Sequence, residues 1–412
     1  MGGMLAKALV IQAFGVAVMF LVTLIVSRVG GPAAQGSFAF IKSTADFQVA
    51  VFSLGLPQAI VFMLNRRGVG HYAIYVNIAR YCFGLMIVLP VLNLGWLWWF
   101  APTGSQPLLL LQALLIGLAC AWLTAFSLFR GLLLVFTDGP LFSFLSILQW
   151  LIIAVCVFAL LNRSAFIFEI AYFAAGAASV AAIVVALRRF MLAGNVQQVG
   201  GKIDYAILRE QSAHVLLQAV MLGLLPFVTN AVLLQKQEGY ENAGLFNIAS
   251  IVVTLPNLLV ALVAPMLFNR WSKSLVWADM GRLMKNAFVI GGMAQFVALV
   301  AIPLVTPGIS LVFGPAFVGA VEATQILLIS VLPIVTGRIL TPALQGLGFT
   351  REVTISCLWR ISSTVGVAAV LLAMEWHILS ALAFAWTAGE YAALAKLVQK
   401  AYTGFRYDKI QR

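Results

Sequence analysis

Lys42 and Asp46 stand four positions apart inside the apolar stretch GSFAFIKSTADFQVAVFSLGLPQAIVFMLNRR, residues Gly36–Arg67. On a helix that spacing puts both side chains on one face. At ~1.5 Å per residue Asp46 lies ~15 Å beyond Gly36. Such a depth is near the midplane of a bilayer, where a charge survives only against a partner, a bundle interior or water. Two readings follow. Either the pair forms a polar wall, with Lys42 meeting an anionic group of a substrate and Asp46 binding a coupling proton or cation, or the two charges neutralise each other and hold a helix interface.

Arg80, Arg338 and Arg360 form a second group, each about one to three turns from the cytoplasmic end of an apolar run. A guanidinium fork suits phosphate oxygens; the bland alternative is a side chain that bends back to the headgroups. Arg338 follows Gly337 and lies between Pro333 and Pro342, where the helix is expected to be irregular and its freed carbonyls to need donors. Gln211, His214 and Gln218 recur at i, i+3 and i+7 and make one polar face. His214 is either a proton acceptor near neutral pH or a hydrogen-bonded structural residue, and Pro226 further on offers a bend. Glu390 lies ~20 Å into the last apolar run, and Arg360 is its expected partner. Glu169 and Glu322 fall near outer ends of runs, where hydration is expected. Trp96, Trp98 and Trp99 read as an outer aromatic belt.

Other chemistries find no support. Gly200-Gly201-Lys202 lacks the rest of a phosphate-binding loop, since Val196 and Ile203 stand where Gly and Ser or Thr are required. The three histidines are scattered, and the four cysteines form no CxxC pair. No catalytic residue set, metal site or cofactor is therefore expected.

The residues that position these groups are apolar. The chain is 63% hydrophobic and only 9% charged, whereas water-soluble domains carry about a quarter charged residues. A span needs roughly 20 apolar residues, and twelve fit: about Leu5–Ser27, Gly36–Leu64, Ile74–Phe100, Pro107–Phe129, Leu141–Leu161, Ala165–Leu187, Ile207–Leu234, Gly244–Phe268, Ala287–Phe313, Ala320–Leu344, Val353–Met374 and Ile378–Val398. The first run is too long for a signal-peptide core and is expected to remain as a span. Period-two alternation is missing, which argues against a barrel. Most of the 25 Lys and Arg fall on one side, among them Lys7, Arg66, Arg67, Arg188, Arg189, Lys202, Arg270 and Lys273. Only Arg28, Arg163 and Lys236 fall opposite. The bias predicts cytoplasmic termini and accounts for the net charge of +12 without nucleic acid.

Gly36, Phe38 and Pro57 recur at one common offset as Gly244, Phe246 and Pro265, with Ser250 and Thr254 in place of Lys42 and Asp46. A repeat with broken symmetry is the pattern of a membrane transporter. The expected organisation is an N-terminal six-helix bundle over 1–190, a polar joint over 191–204 and a C-terminal six-helix bundle over 205–412.

Several stretches resemble one family: Ser27-Arg28-Val29-Gly30-Gly31-Pro32 through Gly36-Ser37-Phe38, Ser53-Leu54-Gly55-Leu56-Pro57-Gln58-Ala59, Gly244-Leu245-Phe246-Asn247-Ile248-Ala249 with Ala264-Pro265, Phe313-Gly314-Pro315-Ala316-Phe317, and Leu344-Gln345-Gly346-Leu347-Gly348-Phe349. Their order is similar to that of Wzx-type polysaccharide-transport proteins, O-antigen flippases of the multidrug/oligosaccharidyl-lipid/polysaccharide (MOP) exporter superfamily. The resemblance implies an all-α polytopic membrane protein with two six-helix bundles around a central cavity, working by alternating access in the bacterial inner membrane. It implies a substrate too, an undecaprenyl-pyrophosphate-linked oligosaccharide moved from the inner to the outer leaflet. The implied partners are membrane lipids, a polysaccharide polymerase and a chain-length regulator, and the expected coupling ion is H+ or Na+. On this reading Lys42, Arg80, Arg338 and Arg360 line a cationic cavity, while Asp46, Gln211, His214, Gln218 and Glu390 are polar or coupling residues.

A cation- or proton-coupled multidrug exporter of the same superfamily is the alternative. It is expected to prefer acidic cavity residues, whereas the buried bases here outnumber the deep acids. A membrane-embedded polymerase or ligase would need a large outer loop, and the outer loops around Pro102–Gln106, Asn162–Ser164, Gly314–Gly319 and Glu375–His377 are short.

Overall fold

A computed structural model of the 412-residue chain describes residues 2–67, 71–100, 109–137, 139–161, 164, 166–192, 205–235, 239–253, 271 and 277–411. The described chain is almost wholly helical. In order come α1 (Gly2–Phe52), α2 (Leu56–Arg67), α3 (His71–Phe100), α4 (Leu109–Phe136), α5 (Pro140–Leu160), α6 (Ile167–Leu192) and α7 (Tyr205–Leu234). Helix α8 occupies 239–253 as far as it is described. Then follow α9 (Trp277–Ala301), a short 3₁₀ turn, α10 (Val305–Val312), a second 3₁₀ segment, α11 (Val321–Leu328), α12 (Val331–Gly346), α13 (Thr350–Ala373) and α14 (Ile378–Gln411). Among the described residues, nine helices are long and apolar enough to cross a membrane, or ten if the bent pair α11–α12 is one span. The protein is a multi-pass membrane protein.

Two of the expected spans share one helix. The apolar part of α1, Val10–Phe52, has 43 residues. It would be ~65 Å long if straight, about twice the ~30 Å thickness of a hydrocarbon core. The helix resolves this with a kink at Gly31, whose φ is 71° and ψ −170°, directly before Pro32. The eighth expected span runs from α8 into residues outside the described set, as do Thr254 and Pro265 of the repeat.

The second expected span, Gly36–Leu64, is not continuous. Helix α1 stops at Phe52, Leu54 and Gly55 take positive φ values of 52° and 66°, and α2 restarts at Leu56. Gly55 is required there for two reasons. Its backbone is left-handed, and a Cβ would come within 2.4 Å of the Ser212 carbonyl and 2.6 Å of the Leu216 amide on α7. Backbone atoms cannot swing aside as a side chain would, so the break and α7 are locked together.

The chain forms two compact units. The first comprises residues 1–30 and 37–240, and the second 31–36 and 241–412. The expected joint over 191–204 lies outside the described residues from 193 onward. Beyond it, α7 packs against α2 and groups with the first unit. Inside that unit α4 is the central element and packs against α2, α3, α5 and α6. Helix α14 has that place in the second unit, against α9, α11, α12 and α13.

Candidate functional site

In the first unit, the second half of α1 is enclosed on almost every side. Gln48 and Asn93 of α3 exchange two carboxamide hydrogen bonds, 2.8 and 2.9 Å, and Asn93 also donates to the Leu89 carbonyl. From α7, Asn230 donates to Ser43 Oγ at 3.0 Å and Phe227 stacks on Phe47 with centroids 5.3 Å apart. From α6, Phe168 and Tyr172 pack on Phe38. Among residues 36–52 one position is exposed, and it is Asp46. Its carboxylate accepts a hydrogen bond from Lys42 Nζ at 2.6 Å, and the two side chains are 57% and 33% accessible. Val49 and Ala50, three and four residues further, are partly accessible and extend the same stripe. The ion pair is thus the open face of a helix otherwise closed by protein. The charges neutralise each other, and they do so on an accessible face rather than in a sealed interface.

The second unit has a corresponding stripe. In α12 one position is fully exposed, Arg338, and Ile334, Thr341 and Gln345 share its face at helical spacing. Arg338 lies within electrostatic reach of Arg360 and Glu390. Among the described residues no carboxylate lies within ion-pair distance of it.

The other arginines do not join it. Arg360 of α13 is paired with Glu390 of α14, the expected partners, and their side chains are only 18% and 11% accessible. The pair sits at a close approach of the two helices. A Cβ on Gly389 would meet Thr364 Oγ1 at 2.1 Å and the Arg360 carbonyl at 2.7 Å, so glycine beside Glu390 permits the ion pair to form. Arg80 is exposed on a face of α3 shared with Phe83, Ile87 and Val91, which are 73%, 62% and 65% accessible. A face so apolar, at i, i+3, i+7 and i+11, looks toward lipid. An arginine on such a face is placed for a headgroup, apart from the exposed stripes that carry Asp46 and Arg338.

His214 and Gln218 lie on α7, Gln218 buried and His214 half-buried, next to the turn that receives Gly55. Gln211 is on the same helix, its side chain outside the described residues, as are those of Trp96, Trp98 and Trp99. Glu322 is exposed as expected. Glu169 is not. It is 2% accessible, with Oε1 accepting from Gln112 Nε2 of α4 at 2.8 Å. The first turn of α6 starts further inside the unit than the apolar run suggested, so hydration is replaced by a carboxamide.

The irregularity expected around Arg338 lies earlier, at Ile329–Ser330, where α11 and α12 meet at 57°. Its freed backbone groups are met by residues other than Arg338. Gln295 of α9 donates to the Leu328 carbonyl at 3.1 Å and accepts from the Leu332 amide at 2.9 Å. Tyr391 donates to the Ile329 carbonyl at 3.0 Å. A broken helix in lipid needs such substitutes. Replacing Gln295 with Leu is expected to destabilise the second unit by about 1–3 kcal/mol for each of the two backbone groups left unpaired. Thermal unfolding in detergent measures it, and an unchanged midpoint would show that Gln295 does not hold the break.

Among the described residues no group of three or more His, Cys, Asp or Glu is placed to hold a metal ion. The arrangement offers accessible stripes of mixed polarity, each carrying charge, suited to binding and release rather than bond chemistry.

No protein-family profile matches the chain, and no curated protein matches it in sequence. Solved structures do match in fold. One is a multidrug resistance MATE family transporter of the MOP superfamily in an outward-facing conformation, with a TM-score of 0.73 at 14% identity, covering 99% of this chain and 96% of that one. A second is a Vibrio cholerae MATE transporter in the bent form, TM-score 0.67 at 12% identity, with 99% and 98% covered. A third is a Pyrococcus furiosus MOP superfamily transporter, described as having a binding pocket of reverse polarity that suggests a different function, TM-score 0.68 at 13% identity, with 98% and 94% covered. The chain has the fold of MOP superfamily transporters over nearly its whole length.

Proposed function

We propose that this protein is an ion-coupled exporter of amphiphilic organic cations. The observation that carries the reading is Asp46, the one exposed position on an enclosed half-helix and the more accessible member of its ion pair. A carboxylate on an accessible wall at membrane depth attracts a positively charged ligand, and Lys42 satisfies it while the wall is empty. The MATE neighbours support the same reading. The case for an anionic substrate rested on an excess of buried bases, and that excess is largely cancelled: Lys42 and Arg360 are paired and Arg80 faces outward. The Lys and Arg bias supports an orientation with both termini cytoplasmic.

Arg338 favours a second reading. With Thr341 and Gln345 on its stripe, it offers a guanidinium for phosphate and hydrogen-bonding groups for sugar, as a flippase of polyprenyl-pyrophosphate-linked oligosaccharide in the bacterial inner membrane would need. A polysaccharide polymerase and a chain-length regulator would then be its partners.

Reconstituting the full chain in liposomes separates the two. Under an imposed proton or sodium gradient, movement of a fluorescent lipophilic cation, lost in Asp46→Asn and kept in Arg338→Gln, is the expected result. Translocation of lipid-linked oligosaccharide without cation movement, lost in Arg338→Gln, would replace the first reading with the second.

A further inference from the structure

Glu169 has no role in either stripe, and its surroundings are unusual. It is 2% accessible and sits in the first turn of α6. One oxygen accepts from Gln112; the other, Oε2, has no hydrogen-bond partner among the described residues. No described cation lies within ion-pair distance. Among the described residues, the Tyr240 phenol lies within electrostatic reach of it, and Tyr172 stands one turn along α6, itself within reach of Cys120 on α4. An ionised carboxylate enclosed in this way is costly unless paired, whereas the neutral acid is not.

The same face of α6 continues inward with polar atoms in the same condition. Tyr172 Oη and Ser179 Oγ are buried and without a hydrogen-bond partner among the described residues, at three and ten positions from Glu169. They lie ~4.5 and ~15 Å further along the helix axis. Thr44 Oγ1 on α1 is also buried and without a described partner, two residues from Asp46. Tyr172 and Asp46 are within electrostatic reach of each other.

We propose that Glu169 is a proton-binding site of the first unit, taking up one proton on the carboxyl group and releasing it again as the carboxylate returns to its hydrogen bond with Gln112. Gln112 can serve both forms. Its N–H donates to the carboxylate, and a half-turn of the same carboxamide presents its carbonyl to the O–H of the acid. A metal cation would instead meet an N–H donor and too few oxygens. The proposal deepens the exporter reading by naming a coupling ion and the residue that carries it. Proton binding itself does not depend on that reading.

Infrared difference spectroscopy on the purified full chain in lipid tests it through the carbonyl stretch of a protonated carboxylic acid. A band that appears and disappears reversibly with pH is expected, absent from Glu169→Gln, retained in Glu322→Gln and unmoved by added sodium at constant pH. Gln112→Leu is expected to move the band to higher frequency, because the O–H of the acid loses the carboxamide oxygen that accepts from it; this holds the test open should Glu169→Gln fold poorly. Identical spectra for wild type and Glu169→Gln across the titration would overturn the site. Displacement of the band by sodium would overturn the proton as its ligand. In liposomes, gradient-driven cation movement in Glu169→Gln is expected to fall at least tenfold, and an unchanged rate would overturn coupling. If the wild type moves no cation, the exporter reading fails while the infrared result still decides the proton site.

Discussion

Exchanging the two charges of the α1 pair, Lys42→Asp together with Asp46→Lys, is expected to leave the protein folded and to reverse its charge preference. The pair remains at i, i+4, so the local ion pair is kept and its helical contribution changes by only a few tenths of a kcal/mol. What changes is the identity of the accessible member. At position 46, the one exposed site on residues 36–52, a cation would face the ligand where a carboxylate stood. Loss of one favourable contact and gain of one repulsive contact amount to at least ~2.8 kcal/mol if each is worth a factor of ten. Affinity for a lipophilic cation should fall a hundredfold or more. Asp46→Asn alone should cost at least tenfold, since Lys42 is then left facing the ligand. If the exchanged protein bound cations as the original does, the pair would be a structural brace and nothing more.

The second large effect concerns stability. Arg360 and Glu390 bridge α13 and α14 at low accessibility, so removing one charge strands the other. Breaking a buried pair in this way costs about 3–5 kcal/mol. Glu390→Gln and Arg360→Met should each lower the unfolding midpoint in detergent markedly. The double replacement Arg360→Met with Glu390→Met should recover most of the loss, because no charge remains to be desolvated. If the double variant were as unstable as the singles, the loss would come from packing around Gly389 and Thr364 rather than from the ion pair.

Much of this was legible in the residues. Composition dictated a polytopic helical protein, spacing joined Lys42 to Asp46, and the depth of Glu390 in its run pointed to Arg360. The failures have physical causes. Depth alone groups Arg80 with the other arginines. Depth along a helix says nothing about azimuth, and the exposed apolar face that Arg80 shares with Phe83, Ile87 and Val91 is visible only in their spacing. Glu169 was read from its distance to a run end, but burial depends on what packs across from it, here Gln112 from a helix 57 positions away in sequence. Pro333 and Pro342 marked α12 as irregular, yet the break precedes them, and its donors, Gln295 and Tyr391, come from α9 and α14. Long-range carboxamide contacts such as Gln48–Asn93 left no local signal beyond two polar letters in apolar runs.

The claim that all else leans on is that α1 opens to water and ligand along one stripe. Single cysteines at positions 45, 46 and 49, introduced where Cys82, Cys120, Cys156 and Cys357 have been replaced, report this through a membrane-impermeant thiol reagent applied to lipid-reconstituted protein. Positions 46 and 49 are expected to label and position 45 to resist, with a lipophilic cation protecting the labelled pair. Equal labelling at all three positions, or no protection by the cation, would contradict the account.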